Sequence, residues 1–408
     1  MKYSIVIPTY NNCEKYLKPC IDSIIKHTDM NDVELIVSSN GCTDNTKQYL
    51  DYLVTAMPTL KVIWSDKPLG FAKATNSGIL AATTERIVLL NNDTVILGDN
   101  WLEKLNAGGD ISTVWTQWSD ITQQRFGVFF CVMIYADVFQ RIGLLNEEYE
   151  TGGCEDIEFC YKARWNGIKI HANWDDGTFP IYHKAEGTVH DETLVQDWSN
   201  KFLLNELKLA KKYNKEWYYW RLSNNYERAV FLKGDEIFPR ETQRYEWARK
   251  NLLGYQVLEI GCSTGYGRQF FDPGIEYTGL DYDPIIVEVA KDQQWESYNT
   301  EFYHADINQF ALAQYDTIVA FEVIEHLDNG LEVVEKLKKH CKRLLITVPH
   351  NEPKGFWGEH HKLHGLTEKD FPGFKFAYIS HDGTISDKMQ AINAANPSNL
   401  MICRWDNE

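Results

Sequence analysis

The sequence lacks three features that would each assign a protein to a class. Its nine cysteines are scattered without a CxxC pair, which favours reduced thiols in a cytosol over a disulfide framework. Its longest apolar stretch, FGVFFCVMIYA from Phe126, is about half of a membrane span. Neither half has the surplus of basic residues that binding to a nucleic-acid backbone requires. We therefore expect a soluble, cytoplasmic protein with at most peripheral membrane contact and no nucleic-acid partner.

The bulk composition indicates an ordinary globular chain of more than one domain. The chain has 408 residues, of which 44% are hydrophobic and 24% are charged, and its formal net charge is -17. This length exceeds what one ordinary core organises, so two domains are expected. The opening MKYSIVIPTY predicts a strand that ends at proline, and it does not have the pattern of a signal peptide.

The first half alternates strand and helix patterns. YSIVIP, VELIVSS, LKVIWSD and RIVLLNND are short apolar runs, and the segments between them carry apolar residues at helical spacing. This alternation predicts an open α/β sheet with parallel strands. Ligands of such sheets bind at the carboxyl ends of the strands, and Asp93 follows one such end.

Five blocks of the first half resemble the family 2 glycosyltransferases. These blocks are SIVIPTYNN, VELIVSSNGCTDNT, PLGFAKATNSGI, IVLLNNDTVI and CEDIEFCYKARWNG. The resemblance covers about residues 1–190 and implies the GT-A fold, which binds nucleotide-diphosphosugars, so we assign residues 1–192 to this domain. It also implies that nucleotide-sugar contacts come from Pro8, Thr9, Tyr10, Ser39, Asn40, Gly70, Asn76, Asn91 and Asn92.

Asp93 is the expected metal ligand of this domain. By the resemblance, Asn91-Asn92-Asp93 occupies the position of the family's Asp-x-Asp motif. Mn²⁺ or Mg²⁺ takes hard oxygen ligands, and a cation across the diphosphate absorbs the charge that develops on the leaving oxygen. The competing interpretation is a turn in which the asparagines cap a strand end.

An acidic pair and a histidine complete the first expected site. Glu155 and Asp156 begin a predicted helix that ends at Gly167, where acidic residues also act as simple partners of the helix dipole. The resemblance implies instead that this pair supplies the base of an inverting transfer, with Asp156 preferred and Glu155 second. It also implies that His183 completes the metal site, although a histidine of a surface loop would have the same pattern.

One position departs from the family pattern. The family commonly ends its second strand with an aspartate that contacts the nucleotide base, and this chain has Ser38-Ser39-Asn40 there. Neutral side chains also hydrogen-bond base edges, so the identity of the nucleotide stays open.

Residues 193–224 form a predicted helical connector that is basic and aromatic. A membrane-surface contact and packing between domains both suit this composition, and packing is the preferred interpretation.

The second half opens with a glycine-rich turn. VLEIGCSTGYG places Gly261 and Gly265 after a predicted strand, and EYTGLDYDP ends the next strand with Asp281 about twenty residues later. Such a turn lets a ligand approach the backbone, and the acidic residue suits ribose hydroxyls. A dinucleotide-dependent dehydrogenase has the same two features.

The blocks YHADI and FEVIEHL make residues 225–408 resemble the class I S-adenosylmethionine (SAM)-dependent methyltransferases, a Rossmann-like α/β fold. The resemblance implies that Glu259, Gly261 and Gly265 line the methionine part of SAM, that Asp281 binds its ribose, and that Asp306 with Ile307 flanks the adenine. The closing segments FKFAYIS and NLMICRW are predicted to form an antiparallel hairpin.

FEVIEHL also contains a potential metal set. Glu322, Glu325 and His326 are spaced i, i+3 and i+4, so they share one face if the segment is helical. With His361 they resemble the metal-dependent 2'-O-methyltransferases of small RNAs, which implies a second Mg²⁺ site over a vicinal diol. Without a metal, His326 or His361 would act as the general base.

The two halves together predict a bifunctional glycan-modifying enzyme. The first domain would transfer a sugar from a nucleotide-sugar donor to a glycan or lipid-linked saccharide, and the second would methylate a sugar hydroxyl with SAM. Two alternatives stay open: one domain is a non-catalytic binding module or scaffold, or the methyltransferase acts on nucleic-acid ribose. The acidic balance of both halves opposes the second alternative.

Overall fold

The computed structural model divides the chain into two compact units, residues 1–218 and 219–408. The structure describes residues 1–57, 59–149, 152–172, 179–184, 198–225, 239–293, 299–356, 360–393 and 398–407. The division at 218/219 falls inside the predicted connector, and the boundaries 1–192, 193–224 and 225–408 stay a prediction.

The strands of the first unit form one large sheet and two small ones. They are β1 (Tyr3–Thr9), β2 (Val33–Ser39), β3 (Leu60–Ile63), β4 (Arg86–Leu90), β5 (Thr94–Ile96), β6 (Ile111–Thr113), β7 (Thr116–Ser119), β8 (Gln124–Gly127), β9 (Cys131–Tyr135), β10 (Ile170–Ala172) and β11 (Ile181–His183). The large sheet has the order β10-β6-β9-β4-β1-β2-β3. The small sheets pair β5 with β11 and β7 with β8, both antiparallel.

The direction of each strand determines which strand ends lie at the same edge of the sheet. Strands β1, β2, β3 and β4 are parallel, as the alternating pattern predicted. Strand β9 is antiparallel to both β4 and β6, which makes β6 parallel to β4. The carboxyl ends of β1, β2, β4 and β6 therefore lie at the same edge of the sheet.

Helices cover both faces of this sheet. They are α1 (Lys18–His27), α2 (Thr46–Ala56), α3 (Phe71–Ala81), α4 (Trp101–Asn106), α5 (Ala136–Ile142), α6 (Glu155–Trp165), α7 (Trp198–Tyr213) and α8 (Lys215–Asn225), which runs into the second unit. One core, with Ile21 and Ile24 of α1, packs against Ile5 and Val88. The other, with Phe159 of α6, packs against Val6. Two cores on opposite faces are what a doubly covered parallel sheet requires.

Helix α7, predicted as part of the connector, is anchored to the first unit through Glu158 of α6. The Glu158 carboxylate is 1% exposed and accepts hydrogen bonds from Lys212 (2.5 Å), Tyr213 (2.7 Å) and Asn146 (2.7 Å). Burial acts to raise the pKa of Glu158, but these donors outweigh it and hold that pKa at about 2. The side chain of Asn205, also on α7, donates to the Gly152 carbonyl (3.0 Å). The helix thus holds the chain that leads into α6.

The second unit contains one mixed sheet of eight strands. They are β12 (Gln256–Ile260), β13 (Glu276–Asp281), β14 (Thr300–His304), β15 (Tyr315–Phe321), β16 (Cys341–Pro349), β17 (Lys375–Ile379), β18 (Ile385–Ser386) and β19 (Leu400–Asp406). Their order is β14-β13-β12-β15-β16-β19-β17-β18. Strand β19 is antiparallel to β16 and to β17, so the predicted closing hairpin is confirmed.

In the described part of this unit, three α-helices accompany the sheet: α9 (Pro239–Asn251), α10 (Pro284–Asp292) and α11 (Gly330–Lys338). The glycine-rich turn leads into a short 3-10 helix, Tyr266–Phe270. The chain order reverses between β12 and β15, and this switch point is where open α/β sheets bind ligands.

In the part of the chain that the structure describes, no helix is long and apolar enough to cross a membrane. All nine cysteines are described and are buried thiols. The sheets and helices described above form two α/β units, as the sequence predicted.

Candidate active sites

The first site lies at the shared carboxyl edge of β1, β2 and β4. Thr9 ends β1, Ser39 ends β2, and Asn91, Asn92 and Asp93 follow β4. The Asn92 side-chain amide donates to the Thr9 hydroxyl at 2.9 Å. These four predicted nucleotide-sugar positions, Thr9, Ser39, Asn91 and Asn92, therefore lie at one edge of the sheet because its parallel strands end together.

Asp93 and His183 meet at 3.2 Å, between carboxylate Oδ1 and imidazole Nε2. Strand β5 directly follows Asp93 and pairs with β11, which ends at His183. The imidazole stacks on the Phe130 ring, with centroids 4.2 Å apart and planes within 5°. The backbone N–H of Lys184 also donates to the Asp93 carbonyl at 3.2 Å. The pairing of β5 with β11 thus brings together a carboxylate oxygen and an imidazole nitrogen, which are both ligand types for a divalent cation.

The Ser38-Ser39-Asn40 end of β2 combines a positioned asparagine with two buried hydroxyls. Asn40 Oδ1 accepts hydrogen bonds from the backbone N–H groups of Leu69 (2.5 Å) and Gly70 (3.0 Å). Asn40 therefore fixes the turn at Gly70, whose φ is +87°. The Ser38 and Ser39 hydroxyls make no hydrogen bond within the described residues.

The remaining predicted nucleotide-sugar positions differ in their surroundings. Pro8 pairs with Ser38 inside the sheet, and Tyr10 follows β1 and is half-buried. Asn91 bonds through its backbone N–H to the Phe130 carbonyl at 2.8 Å.

Asn76 is buried in α3 and holds a loop. Its amide donates to the Leu145 carbonyl (2.9 Å) and to Glu147 (3.0 Å), and its oxygen accepts from the Leu145 N–H (3.1 Å). These contacts indicate that Asn76 supports the loop before α6, a role that the spacing of the motif did not reveal.

Glu155 and Asp156 form an acidic pair at the start of α6. Glu155 is buried, and among the residues that the structure describes, one of its carboxylate oxygens has no hydrogen-bond partner. Burial raises the pKa of Glu155, and the charge of Asp156 raises it further. Burial also raises the pKa of Asp156, whose carboxylate accepts from the Ile157 N–H (2.8 Å) and the Phe129 N–H. A carboxylate with a raised pKa is a better proton acceptor.

Phe129 and Phe130 connect the acidic pair with the predicted metal pair. The backbone of Phe129 contacts Asp156, and the ring of the next residue stacks on His183. Neither residue was predicted from the sequence, because the apolar start of a strand carries no chemical signal.

In the second unit, the glycine-rich turn follows β12. Gly261 and Gly265 have φ of +68° and +73°. A Cβ at Gly261 would come within 2.4 Å of Val323 Cγ2, so a side chain there would collide with the segment that follows β15. The Ser263 backbone N–H donates to Asp281 at 2.8 Å, which holds the turn against the end of β13.

Glu259 lies inside the sheet rather than on its rim. Its two oxygens accept hydrogen bonds from Tyr245 and Tyr277, each at 2.5 Å, and a Cβ at Gly267 would touch the same carboxylate. Glu259 therefore supports the glycine-rich turn from below.

A cleft of about 650 Å³ opens beside the end of β14, and Tyr282, Asp306 and Phe310 are among its lining residues. Asp306 is exposed and caps the following turn through the Asn308 N–H (2.8 Å), whereas Ile307 is buried. Burial raises the pKa of Asp281, although backbone N–H groups, Asp283 first, partly offset this. The cleft lies where the resemblance places the adenine.

Glu325, His326 and His361 form a group whose ligand atoms all lie within 4.8 Å of one another. His326 Nδ1 lies 3.2 Å from the His360 carbonyl, and His361 Nδ1 lies 2.6 Å from Glu352. Both acceptors require a proton on Nδ1, which leaves each Nε2 with a lone pair. The donor set therefore fits a divalent cation. Glu352 was missed because nothing in its sequence distinguishes it from other acidic residues.

The interpretation of FEVIEHL as a helix with Glu322, Glu325 and His326 on one face is wrong. Only Ile324–His326 forms a single 3-10 turn, and Glu322 precedes it with φ of +55°. Glu322 still continues β15, since its N–H donates to the Thr347 carbonyl, and its carboxylate pairs with Arg244 at 3.5 Å. Glu322 is thus separated from the group that the other three predicted ligands form.

Two family models match the chain. Residues 4–107 match "Glycosyl transferase family 2", and residues 258–343 match "Methyltransferase domain". Glycosyltransferase GlyG of Streptococcus pneumoniae is 33% identical over 102 residues, which is 25% of this chain and 33% of that protein. A probable S-adenosylmethionine-dependent methyltransferase of Mycolicibacterium smegmatis is 29% identical over 130 residues, 29% of this chain and 48% of that protein. The chain therefore spans less than half of either relative.

Among solved structures, the mannosyltransferase PcManGT of Pyrobaculum calidifontis, in complex with GDP-Man and Mn²⁺, has a TM-score of 0.41 and 15% identity. The alignment covers 52% of this chain and 64% of that one.

Proposed function

We propose that this chain, which carries a family 2 glycosyltransferase domain followed by a methyltransferase domain, is a bifunctional glycan-modifying enzyme. Its first unit would transfer a sugar with inversion from a nucleotide-sugar donor to a glycan or lipid-linked saccharide. Its second unit would O-methylate a sugar hydroxyl with SAM. The observation that supports the proposal is that each unit has carboxylate and imidazole groups close together after the carboxyl ends of its strands: Asp93 with His183, and Glu325 with His326 and His361.

In the glycosyltransferase site, Asp93 and His183 would hold Mn²⁺ or Mg²⁺, which neutralises charge on a departing diphosphate. Asp156 would accept the proton of the acceptor hydroxyl, with Glu155 as the second candidate. The hydroxyl oxygen then bonds to the anomeric carbon on the face opposite the diphosphate. The carbon–oxygen bond to the diphosphate breaks, and the nucleoside diphosphate leaves with the electron pair.

In the methyltransferase site, the bound SAM supplies the methyl group. The turn with Gly261 and Gly265 would cradle it, Asp281 would bind its ribose, and Asp306 with Ile307 would flank its adenine. Glu259 would act through the turn that it supports.

The methyl acceptor would meet the group formed by Glu325, His326 and His361. These residues would hold Mg²⁺, which lowers the pKa of a bound hydroxyl. In a metal-free route, the Nε2 of His326 would take the proton instead. Chelation separates the two routes, because EDTA abolishes methyl transfer only in the first.

A thermal-shift screen tests the donor site. A nucleotide-sugar that binds the folded chain raises the unfolding midpoint by mass action, and a panel of UDP- and GDP-sugars with Mn²⁺ should contain one that does so. Asp93→Asn should remove the Mn²⁺-dependent part of this shift and the donor hydrolysis. Asp99→Asn, at an exposed residue that pairs with His27, is the matched control. Equal shifts and hydrolysis in both variants would indicate a chain without a metal-dependent transferase site.

S-adenosylhomocysteine tests the second unit in the same way. It should raise the unfolding midpoint of the wild type, and Asp281→Ala should reduce that rise while Asp283→Ala should not abolish it. Absence of any shift with S-adenosylhomocysteine or SAM would overturn the methyltransferase assignment and support a scaffold role.

A further inference from the structure

The feature that leads beyond the proposed function is Trp115, an exposed tryptophan at the rim of the glycosyltransferase site. It follows β6, whose carboxyl end lies at the same sheet edge as that of β4. Its side chain is 42% exposed. Isolated exposed tryptophans are common on surfaces, so its significance depends on what the ring contacts.

The Trp115 ring joins the aromatic stack beside the predicted metal pair. Its edge packs on Phe130, with centroids 5.7 Å apart and planes at 71°. The Phe130 ring, 4% exposed, carries His183 on its face, and His183 contacts Asp93. A continuous series of contacts therefore leads from the metal pair to an indole that reaches solvent.

The backbone of Trp115 is fixed. Its carbonyl accepts the Val128 N–H at 3.1 Å, where the β7–β8 hairpin returns toward Phe129 and Phe130. The Thr113 hydroxyl bonds to the Val128 carbonyl at 2.9 Å and secures the same junction. An indole whose backbone is held by these hydrogen bonds is preorganised, so little conformational entropy is lost when a ligand covers it.

The position of Trp115 suits the acceptor. The residue before Phe130 contacts Asp156, the proposed base, so Trp115 and Asp156 both adjoin the Phe129–Phe130 segment. Glu155 and Asp156 offer carboxylate oxygens that accept hydrogen bonds from neutral hydroxyl groups. A pyranose has this chemistry, with an apolar C–H face for the indole and hydroxyls for the carboxylates.

We propose that Trp115 is the stacking platform for the sugar residue of the acceptor that carries the attacking hydroxyl. This assignment rests on the proposed transferase function and adds the class of acceptor: a saccharide that presents an apolar pyranose face. Trp115 is therefore a substrate-binding residue and takes no part in proton transfer.

The test is saturation-transfer NMR on the full chain with a panel of methyl pyranosides of glucose, galactose, mannose and N-acetylglucosamine. At least one glycoside should receive saturation at the C–H protons of one face in the wild type. Trp115→Ala should reduce that signal about tenfold, and Trp115→Phe should restore part of it. Trp118→Ala is the matched control, because Trp118 is exposed in the same hairpin and its indole N–H donates to Asp120 instead.

Donor hydrolysis separates this proposal from the proposed function. The circular-dichroism spectrum and the unfolding midpoint of Trp115→Ala, compared with those of the wild type, show whether the variant folds. Absence of saturation transfer to the whole panel, or equal transfer in the wild type and in Trp115→Ala, overturns the acceptor platform. Hydrolysis that does not depend on Asp93 overturns the transferase site itself, whatever Trp115→Ala does.

Discussion

At the scale of single residues, the donor site depends on one carboxylate among neutral side chains. Asn91 and Asn92 give Asp93 no second negative charge, and His183, which contacts Asp93 from a distant strand, would supply the next ligand of the proposed cation. Such a site would depend on the negative charge of the substrate diphosphate more than a site with two aspartates would.

The acidic pair at α6 leads to a prediction about pH. Burial raises the pKa of both Glu155 and Asp156, and only the deprotonated carboxylate accepts a proton. The rate of transfer should therefore rise with pH through a midpoint well above about 4, the ordinary value for an aspartate. The pH profile of kcat/KM checks this. Asp156→Asn should lower kcat about 100-fold or more.

Glu155→Gln separates the two carboxylates. If Asp156 is the base, Glu155→Gln keeps a measurable acid limb, because burial and backbone hydrogen bonds, and not the charge of Glu155, shift the pKa of Asp156. Loss of the limb in Glu155→Gln, with activity retained in Asp156→Asn, would exchange the two roles.

Glu352 gives the second prediction at this scale. It fixes the Nδ1 proton of His361, so Glu352→Gln should weaken Mn²⁺ binding about 10- to 100-fold. Electron paramagnetic resonance, measured on protein that also carries Asp93→Asn, detects Mn²⁺ bound at the C-terminal site alone. Glu322→Gln is the control, since this carboxylate of the same motif pairs with Arg244. A larger loss in Glu322→Gln than in Glu352→Gln would contradict the ligand set.

At the scale of elements, short pairings between distant segments build both sites. The β5–β11 pair brings His183 to Asp93, although about ninety residues separate them. The loop after β16 brings His361 to Glu325, whose carbonyl accepts the Lys362 and Leu363 N–H groups at 2.7 and 3.0 Å. Each pairing fixes the position of a histidine, His183 or His361, whose contacts the local sequence does not determine.

The junction of α6 and α7 supports a prediction about stability. Glu158→Gln removes a buried charge that Lys212 and Tyr213 satisfy, and should cost about 2–4 kcal/mol of unfolding free energy at neutral pH. The ordinary pKa of 4.5 falls to about 2 in the folded chain. The stabilisation is therefore present above about pH 4.5 and is lost as the pH falls toward 2.

Urea unfolding of both proteins between pH 2 and 7 checks this prediction. The difference between wild type and Glu158→Gln should shrink as the pH falls through that window. Glu14→Gln, at an exposed partner of Lys18, should leave the midpoint nearly unchanged. A deficit that does not depend on pH would mean that packing, rather than charge, holds α7 in place.

At the scale of the whole molecule, the net charge of -17 leads to a prediction about partners. The same acidic and histidine spacing resembles enzymes that methylate RNA ribose, but a chain this acidic repels a phosphate backbone. Fluorescence anisotropy with a labelled RNA duplex in 50 mM salt should show no binding tighter than about 10 μM. Tight binding that weakens steeply with salt would favour the RNA alternative over a glycan substrate.

The sequence by itself determined the fold class, the two glycosyltransferase and methyltransferase domains, and which strand ends carry polar side chains. The fold class followed from strand and helix periods and glycine turns, which are local signals, whereas the two domain assignments followed from motifs that resemble the two families. Only the tertiary structure decided which of those side chains meet. It joined Asp93 to His183, turned Glu322 toward Arg244, added Glu352, and made Phe130 and Trp115 part of a site. Those choices depend on strand direction and on contacts between residues far apart in the chain, which no local pattern encodes.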